Sequence, residues 1–217
     1  MPNSCAKLVV LACLLAAVAC TNPFAPKKQD GGNGKDPAPP ATTPEQLMDN
    51  LRRAMSDRDK DLYETLLDED FWFTETDCRG DLVFANGREE ELEIMGGSRD
   101  GSRDGIFDIY RTFEFEFALL APSVELGEEY PEAYPGDPDG HPEEDWVVFR
   151  GQVEMLILDE NGDGYRVYQI MTYKLRQTDE GLWTLIRWVD DPLSGDCEAG
   201  KRPADQLPWA SAKQEAR

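Results

Sequence analysis

Ile106-Phe-Asp-Ile-Tyr-Arg-Thr-Phe-Glu-Phe-Glu-Phe-Ala-Leu-Leu120 decides the fold. Phe107, Ile109, Phe113, Phe115, Phe117 and Leu119 fall on one parity; Asp108, Glu114 and Glu116 fall on the other. A strand sends successive side chains to opposite faces, so this alternation describes one strand with a core face and a wet face. Such half-buried strands belong to antiparallel sheets, and the flanking sequence supplies the partners. Pro122 to Asp145 is an acidic loop. Trp146 to Leu158 alternates again, with Val147, Phe149, Val153, Met155 and Ile157 inward. Asp159-Glu-Asn-Gly-Asp-Gly164 turns the chain, and Tyr165 to Leu175 returns with Val167, Met171, Tyr173 and Leu175 inward. Thr178-Asp-Glu-Gly181 turns it once more, and Leu182 to Asp190 is the last strand.

Upstream, the apolar period lengthens to that of helices. Thr43-Pro44-Glu45-Gln46 predicts a helix start, with Thr43 as cap, Pro44 in the first turn and Gln46 completing a capping box. Leu47, Leu51, Ala54 and Met55 then share a face. A second short helix follows Asp57, with Leu62, Tyr63, Leu66 and Leu67 inward. Phe71 to Thr74 is a short strand, with Leu82 to Phe84 as its hairpin partner. Arg88 to Met95 is a short helix stopped by Gly96 and Gly97. The tandem of Ser98-Arg-Asp-Gly101 and Ser102-Arg-Asp-Gly105 reads as a loop expansion.

Helix, helix, short strand, short helix and then a meander resembles the nuclear-transport-factor-2-like, SnoaL-like superfamily over residues 44–190. The most specific pieces are Met55-Ser-Asp-Arg-Asp-Lys-Asp-Leu-Tyr-Glu-Thr-Leu-Leu-Asp-Glu-Asp-Phe71 and the closing Trp183-Thr-Leu-Ile-Arg-Trp-Val-Asp190. The resemblance implies an α+β, cone-shaped (cystatin-like) fold: a curved antiparallel sheet wrapped round N-terminal helices, with an apolar pocket at the wide end. That fold carries isomerases, dehydratases, polyketide cyclases, transport adaptors and many proteins without known activity, so it does not fix a function.

The N-terminus points to export. Lys7 precedes an apolar run from Leu8 to Ala19, and the small residues Ala17 and Ala19 precede Cys20. The run is too short for a permanent span and reads as a signal peptide over residues 1–19. Its ending resembles the lipobox of bacterial lipoproteins. That resemblance implies lipidation of Cys20 and a membrane-anchored protein of the cell envelope, in the outer membrane if the cell is Gram-negative, since Thr21 stands where Asp would retain it. The alternative is an ordinary secretory signal with Cys20 incidental. Residues 20–43, rich in Pro, Gly and Lys, read as a disordered tether, and residues 191–217 as a polar tail.

The 217 residues hold 22 Lys and Arg against 44 Asp and Glu, a net charge of −22. So acidic a chain is a poor ligand for nucleic acid or anionic lipid, since both repel it, and no nucleic-acid partner is expected. Once the signal and the anchor are set aside, Cys78 and Cys197 remain. Export permits a disulfide between them; two free thiols are the alternative. No Cys/His cluster suggests a metal, and no cofactor is expected. Asp159, Asn161, Asp163 and Gly164 match the start of a calcium loop, but Ile170 stands where the bidentate Glu belongs, so a polar hairpin turn is the better reading. His141, the only histidine, lies in a solvated acidic loop and is not expected to be catalytic.

Polar residues on inward parity give the candidate site. Arg111 lies between Ile109 and Phe113, and Gln169 between Val167 and Met171. In the last strand either Trp183, Leu185 and Arg187 face inward, or Ile186, Trp188 and Asp190 do. The expected ligand pocket comprises Trp72, Arg111, Gln169, Tyr173, Trp188 and Asp190, for a small hydrophobic or anionic ligand; a structural Arg111–Asp190 pair is the competing reading. Three functions stay open. The first is a non-catalytic binding or assembly module. The second is an isomerase, dehydratase or cyclase with Asp190 as base and Arg111 or Tyr173 as donor. The third is a homodimer paired through the sheet.

Overall fold

The computed structural model describes residues 37–77, 79, 81–191 and 208–217. The signal peptide, Cys20, most of the tether, Cys78 and Cys197 lie outside the described residues. Helix α1 (Pro44–Asp57) begins at Thr43, whose side-chain oxygen accepts from the Gln46 amide at 3.1 Å. The box is only half made. Gln46 sends its side chain to Asn50 Oδ1 at 3.1 Å, and Asn50 Nδ2 donates to Pro39 O at 2.8 Å, which ties the preceding segment to the helix. Thr43→Ala is expected to lower stability by about 1 kcal/mol in urea denaturation, through loss of that cap. Leu47, Met48, Leu51, Ala54 and Met55 are buried along one face.

Helix α2 (Lys60–Leu66), capped by Asp59, runs directly into strand β1 (Leu67–Thr76), which pairs with β2 (Leu82–Gly87). Helix α3 (Arg88–Gly96) follows and ends at Gly97, whose φ of 88° is left-handed backbone that glycine adopts freely.

The deciding stretch is not one strand. Residues Ile106–Ile109 form a single helical turn, α4, and strand β3 begins only at Thr112 and ends at Leu119. Ile106 and Phe107 are buried from that turn, while Ile109, expected inward, is 40% exposed. From Phe113 onward the expected parity holds, with Phe113 and Phe115 buried and Glu114 and Glu116 in water. Within the acidic loop lie a short strand, β4 (Ser123–Glu125), and a 3-10 turn (Gly127–Glu129). Strands β5 (Trp146–Leu158), β6 (Gly164–Gln177) and β7 (Trp183–Asp191) follow as expected. The Asp159 turn closes itself: Asp159 Oδ1 accepts from the Asn161 and Asp163 amides at 2.8 and 2.9 Å, as a polar hairpin does.

Among the described residues the sheet has the order β2-β1-β7-β6-β5-β3, with β4 beside β5. All pairs are antiparallel except β1 with β7, which run parallel. In β7 both candidate parities are used in turn. Leu185 faces Leu175 and Arg187 faces Lys174, so Ile186 is an extra residue at a bulge. Leu185 points into the core before the bulge, and Trp188 and Asp190 do so after it; Arg187 turns to the outer face. Helix α1 packs on the inner face against β3, and α3 against β1.

Residues 191–217 are not simply a polar tail. Asp191 ends β7, and Trp209–Ala216 forms helix α5. Trp209, Ala210, Ala212, Lys213 and Ala216 are buried on one face of α5, against β6 and α3. The last part of the expected tether is likewise packed: Ala41 is buried, and its carbonyl accepts from the Trp183 amide at 2.8 Å.

Candidate functional site

The interior that the sheet and helices enclose carries a fully buried ion pair. Helix α3 presents Glu91 inward beside Ile94 and Met95. Lys213, from α5, places Nζ 2.9 Å from Glu91 Oε1 and 2.7 Å from Oε2. The Tyr63 hydroxyl donates to Oε1 at 2.6 Å, and Asn86 Nδ2 donates to Oε2 at 2.8 Å. Both oxygens of Glu91 are therefore doubly met. The Lys213 ammonium also sits 3.3 Å from the centroid of the Phe73 ring and 5.1 Å from that of Trp188, where ring quadrupoles favour a cation. Burial pulls the proton affinity of Lys213 down, and Glu91 opposes that shift. Burial, with Glu91 adding, raises the Tyr63 phenol well above its ordinary value.

Deeper along β7 lies Asp190, also fully buried. Trp188 Nε1 donates to its Oδ1 at 3.1 Å, while Oδ2 has no hydrogen-bond partner among the described residues. Burial pushes this carboxyl well up, against the pull of Lys213. Ionising a carboxyl with one oxygen unmet is costly in such a place, which is the cause of the upward shift. Tyr173, on the neighbouring strand, donates to Met171 Sδ at 3.3 Å; burial first and Asp190 second raise its phenol as well. Gln169 Oε1 accepts from the Trp209 amide at 2.7 Å and so fixes the start of α5. Gln169 Nε2 and Trp209 Nε1 have no partner among the described residues.

Four of the expected pocket residues, Gln169, Tyr173, Trp188 and Asp190, thus share this interior. Two do not. Arg111 is exposed, because the chain leaves α4 there and only its backbone amide joins the sheet, donating to Leu158 O at 2.7 Å. The Arg111–Asp190 pair is therefore not made, and Lys213 is the cation near Asp190. Trp72 lies on the outer face, paired across the strands with Gly87 and Arg187. His141 is not solvated. It is buried with its ring 3.8 Å from that of Trp146 and 4.9 Å from that of Tyr130, which pins the acidic loop to the sheet. Burial lowers its proton affinity, so the imidazole is neutral at neutral pH.

The residues missed were Glu91 and Lys213. Both carried a signal: each is a charge on an otherwise apolar helical face, Glu91 with Ile94 and Met95, Lys213 with Trp209, Ala212 and Ala216. Among the described residues no three His, Cys, Asp or Glu side chains are grouped to hold a metal. Outside the core, Asp68 receives Arg176 side-on, at 2.8 Å from Nε and 2.5 Å from Nη2, and the Thr184 hydroxyl at 2.7 Å. That bidentate pair locks β6 to the start of β1.

No protein-family model matches the chain, and no curated protein matches it. Solved structures do. A conserved protein from Planctomyces limnophilus is 12% identical, with 68% of this chain and 91% of that one covered and a TM-score of 0.48. A nuclear-transport-factor-2-like superfamily protein from Salmonella enterica is 10% identical, covering 73% and 93%, with a TM-score of 0.45. An epoxide hydrolase from M. tuberculosis is 13% identical, covering 67% and 79%, with a TM-score of 0.37. These likenesses concern fold alone. The architecture is α+β, a curved, mostly antiparallel sheet around N-terminal helices.

Proposed function

We propose that this chain is an exported protein held to the cell envelope by a lipid on Cys20, with a domain that serves as a binding or assembly module and not as an enzyme. The observation that supports this reading is the occupied interior. Helix α5 of the same chain fills the place a substrate would take, and Lys213, Tyr63 and Asn86 saturate Glu91. A catalytic acid or base must reach its substrate within hydrogen-bond distance, and these groups are spent on one another. Labelling with radioactive palmitate in a bacterial host is expected to mark the wild type and not Cys20→Ala. The purified protein is expected to leave small hydrophobic ketones, esters and epoxides unchanged.

One observation favours an enzymatic second reading. Asp190 is a carboxyl whose proton affinity burial raises, with one oxygen unpartnered among the described residues and Tyr173 as a neighbour, the kind of pair used for acid–base work in dry sites. It requires α5 to leave. Turnover that appears in a chain ending at residue 207 and vanishes with Asp190→Asn would establish it and sink the first reading.

A further inference from the structure

The outer face of the sheet holds a groove of about 740 Å³, within the usual span of small-ligand sites. A row of cross-strand partners forms its floor. Gly87 of β2 lies beside Trp72 of β1, and Trp72 beside Arg187 of β7. A side chain at position 87 would come within 3.3 Å of the Trp72 ring, so glycine there lets the half-buried indole lie flat along the floor. The bulge at Ile186 is what turns Arg187 into the groove. It faces away from the α5-filled interior, so it stands or falls independently of the reading above.

Arg187 is the unusual element. It is 6% exposed, with its guanidinium carbon 5.1 Å from the centre of a Trp146 ring. Nη1 donates to the carbonyls of Asp70 at 2.8 Å and Ile186 at 2.7 Å. Nε makes no hydrogen bond among the described residues. The carboxylate that faces it, Asp139 Oδ1, stands off at 3.6 Å on a side chain that is 62% exposed. A buried guanidinium whose Nε has only a distant, exposed carboxylate in front of it can receive a planar two-oxygen anion in that carboxylate's place. Arg176, the neighbouring cation, offers nothing comparable, since Asp68 and Asp70 occupy it.

The rim has the opposite sign. Asp70, Glu132, Asp137 and Glu144 border the same groove. The Ala133 and Asp139 amides hold Asp137 below the usual carboxylate range, so it is ionised at neutral pH. A purely anionic ligand is repelled by this rim, and a purely cationic one meets Arg187 at the floor. A molecule with a carboxylate at one end and an ammonium close by satisfies both, and the indole of Trp72 offers a flat apolar wall to the remainder.

We propose that the groove binds a small aromatic zwitterion of the α-amino-acid class. Its carboxylate takes Nε of Arg187 in place of Asp139, its ammonium takes the rim carboxylates Glu132 and Asp137, and its ring lies on Trp72. Isothermal titration of the full-length protein with L-phenylalanine tests this, alongside 3-phenylpropionate, which keeps only the acid, and 2-phenylethylamine, which keeps only the amine. Saturable binding of L-phenylalanine is expected, with each half-molecule at least about tenfold weaker, as loss of a charge-assisted contact implies. Arg187→Lys should weaken binding by about tenfold, because an ammonium cannot reproduce the fork. Arg187 also supports two carbonyls, so two surface variants keep the test open should that one fail to fold. Trp72→Ala should weaken binding, and Asp139→Asn should tighten it by removing the internal competitor. No saturable binding below about 10 mM, equal affinity for either half-molecule, or unchanged affinity in Asp139→Asn would overturn the assignment.

Discussion

Lys213→Met is expected to cost about 3–5 kcal/mol of folding free energy, read as a lower midpoint in urea denaturation. The side chain that replaces the ammonium is of similar length and apolar, so packing is largely kept. What is lost is the cation facing a carboxylate that no solvent reaches. Tyr63 and Asn86 still donate to Glu91, but two neutral donors do not offset a buried charge. Glu91→Gln should be damaging for the mirror reason, because the ammonium loses its hydrogen-bonded counter-charge and keeps a neutral acceptor, the ring faces of Phe73, Trp188 and Trp209, and the pull of Asp190. The double variant Lys213→Met, Glu91→Gln is expected to recover much of the loss, since removing both members of a buried pair is often neutral or better. A midpoint unchanged in Lys213→Met would mean that α5 does not occupy the interior in solution.

Asp190→Asn should act in the opposite direction. Burial raises the folded-state pKa of Asp190 above its unfolded value. Between those two values the folded chain holds a proton that the unfolded chain has released, so stability falls as pH rises through that window. Below the unfolded value, near about 4, the residue contributes no penalty; above the folded value the whole penalty stands. Asn carries no charge at any pH and keeps the oxygen that Trp188 donates to. The variant is therefore expected to be more stable than the wild type at pH 7, and the advantage should shrink to nothing as pH falls toward 4. Each tenfold difference in proton affinity is worth about 1.4 kcal/mol. Lys213 now moderates the penalty, so the advantage of Asp190→Asn should grow when Lys213 is also Met. Urea melts at a series of pH values measure both effects, and a variant less stable than wild type at pH 7 would refute the first.

The sheet was legible wherever period alone decides. Strand β6 alternates along most of its length and β5 does so from Phe149 onward, and their partners follow from the turns at Asp159 and Thr178. The break before β3 was not legible. Phe107 falls on the parity of Phe113 and Phe115 by coincidence, yet it is buried from one helical turn and not from a strand. Besides its local cap and the burial of Ile106 and Phe107, that turn makes a contact distant in sequence: Asp108 accepts from Lys60 Nζ at 2.6 Å. No local pattern reports a partner 48 residues away. The bulge at Ile186 is similar, because it is defined by the spacing of β6 and not by β7 itself. It also explains why neither single parity described the last strand. Helix α5 was hidden differently. Its polar composition and the prolines before it argued for a loose end, while Trp209, Ala212, Lys213 and Ala216 already marked one face. The site inherited these gaps: the half carried by β6 and β7 was found, and the half carried by two short helices was not.

The parallel pairing of β1 with β7 has a consequence for the order of events in biogenesis. Phe73 lies beside Trp188, so strands from opposite ends of the sheet sequence are neighbours, and β7 is the wedge that joins the β1–β2 hairpin to the β6–β5 meander. A ribosome delivers the hairpin first and the wedge late, so the two parts wait apart until β7 arrives. Loop closure on that scale slows folding. The hairpin and the meander thus stay apart for most of synthesis, and the sheet closes only when its last strand is delivered.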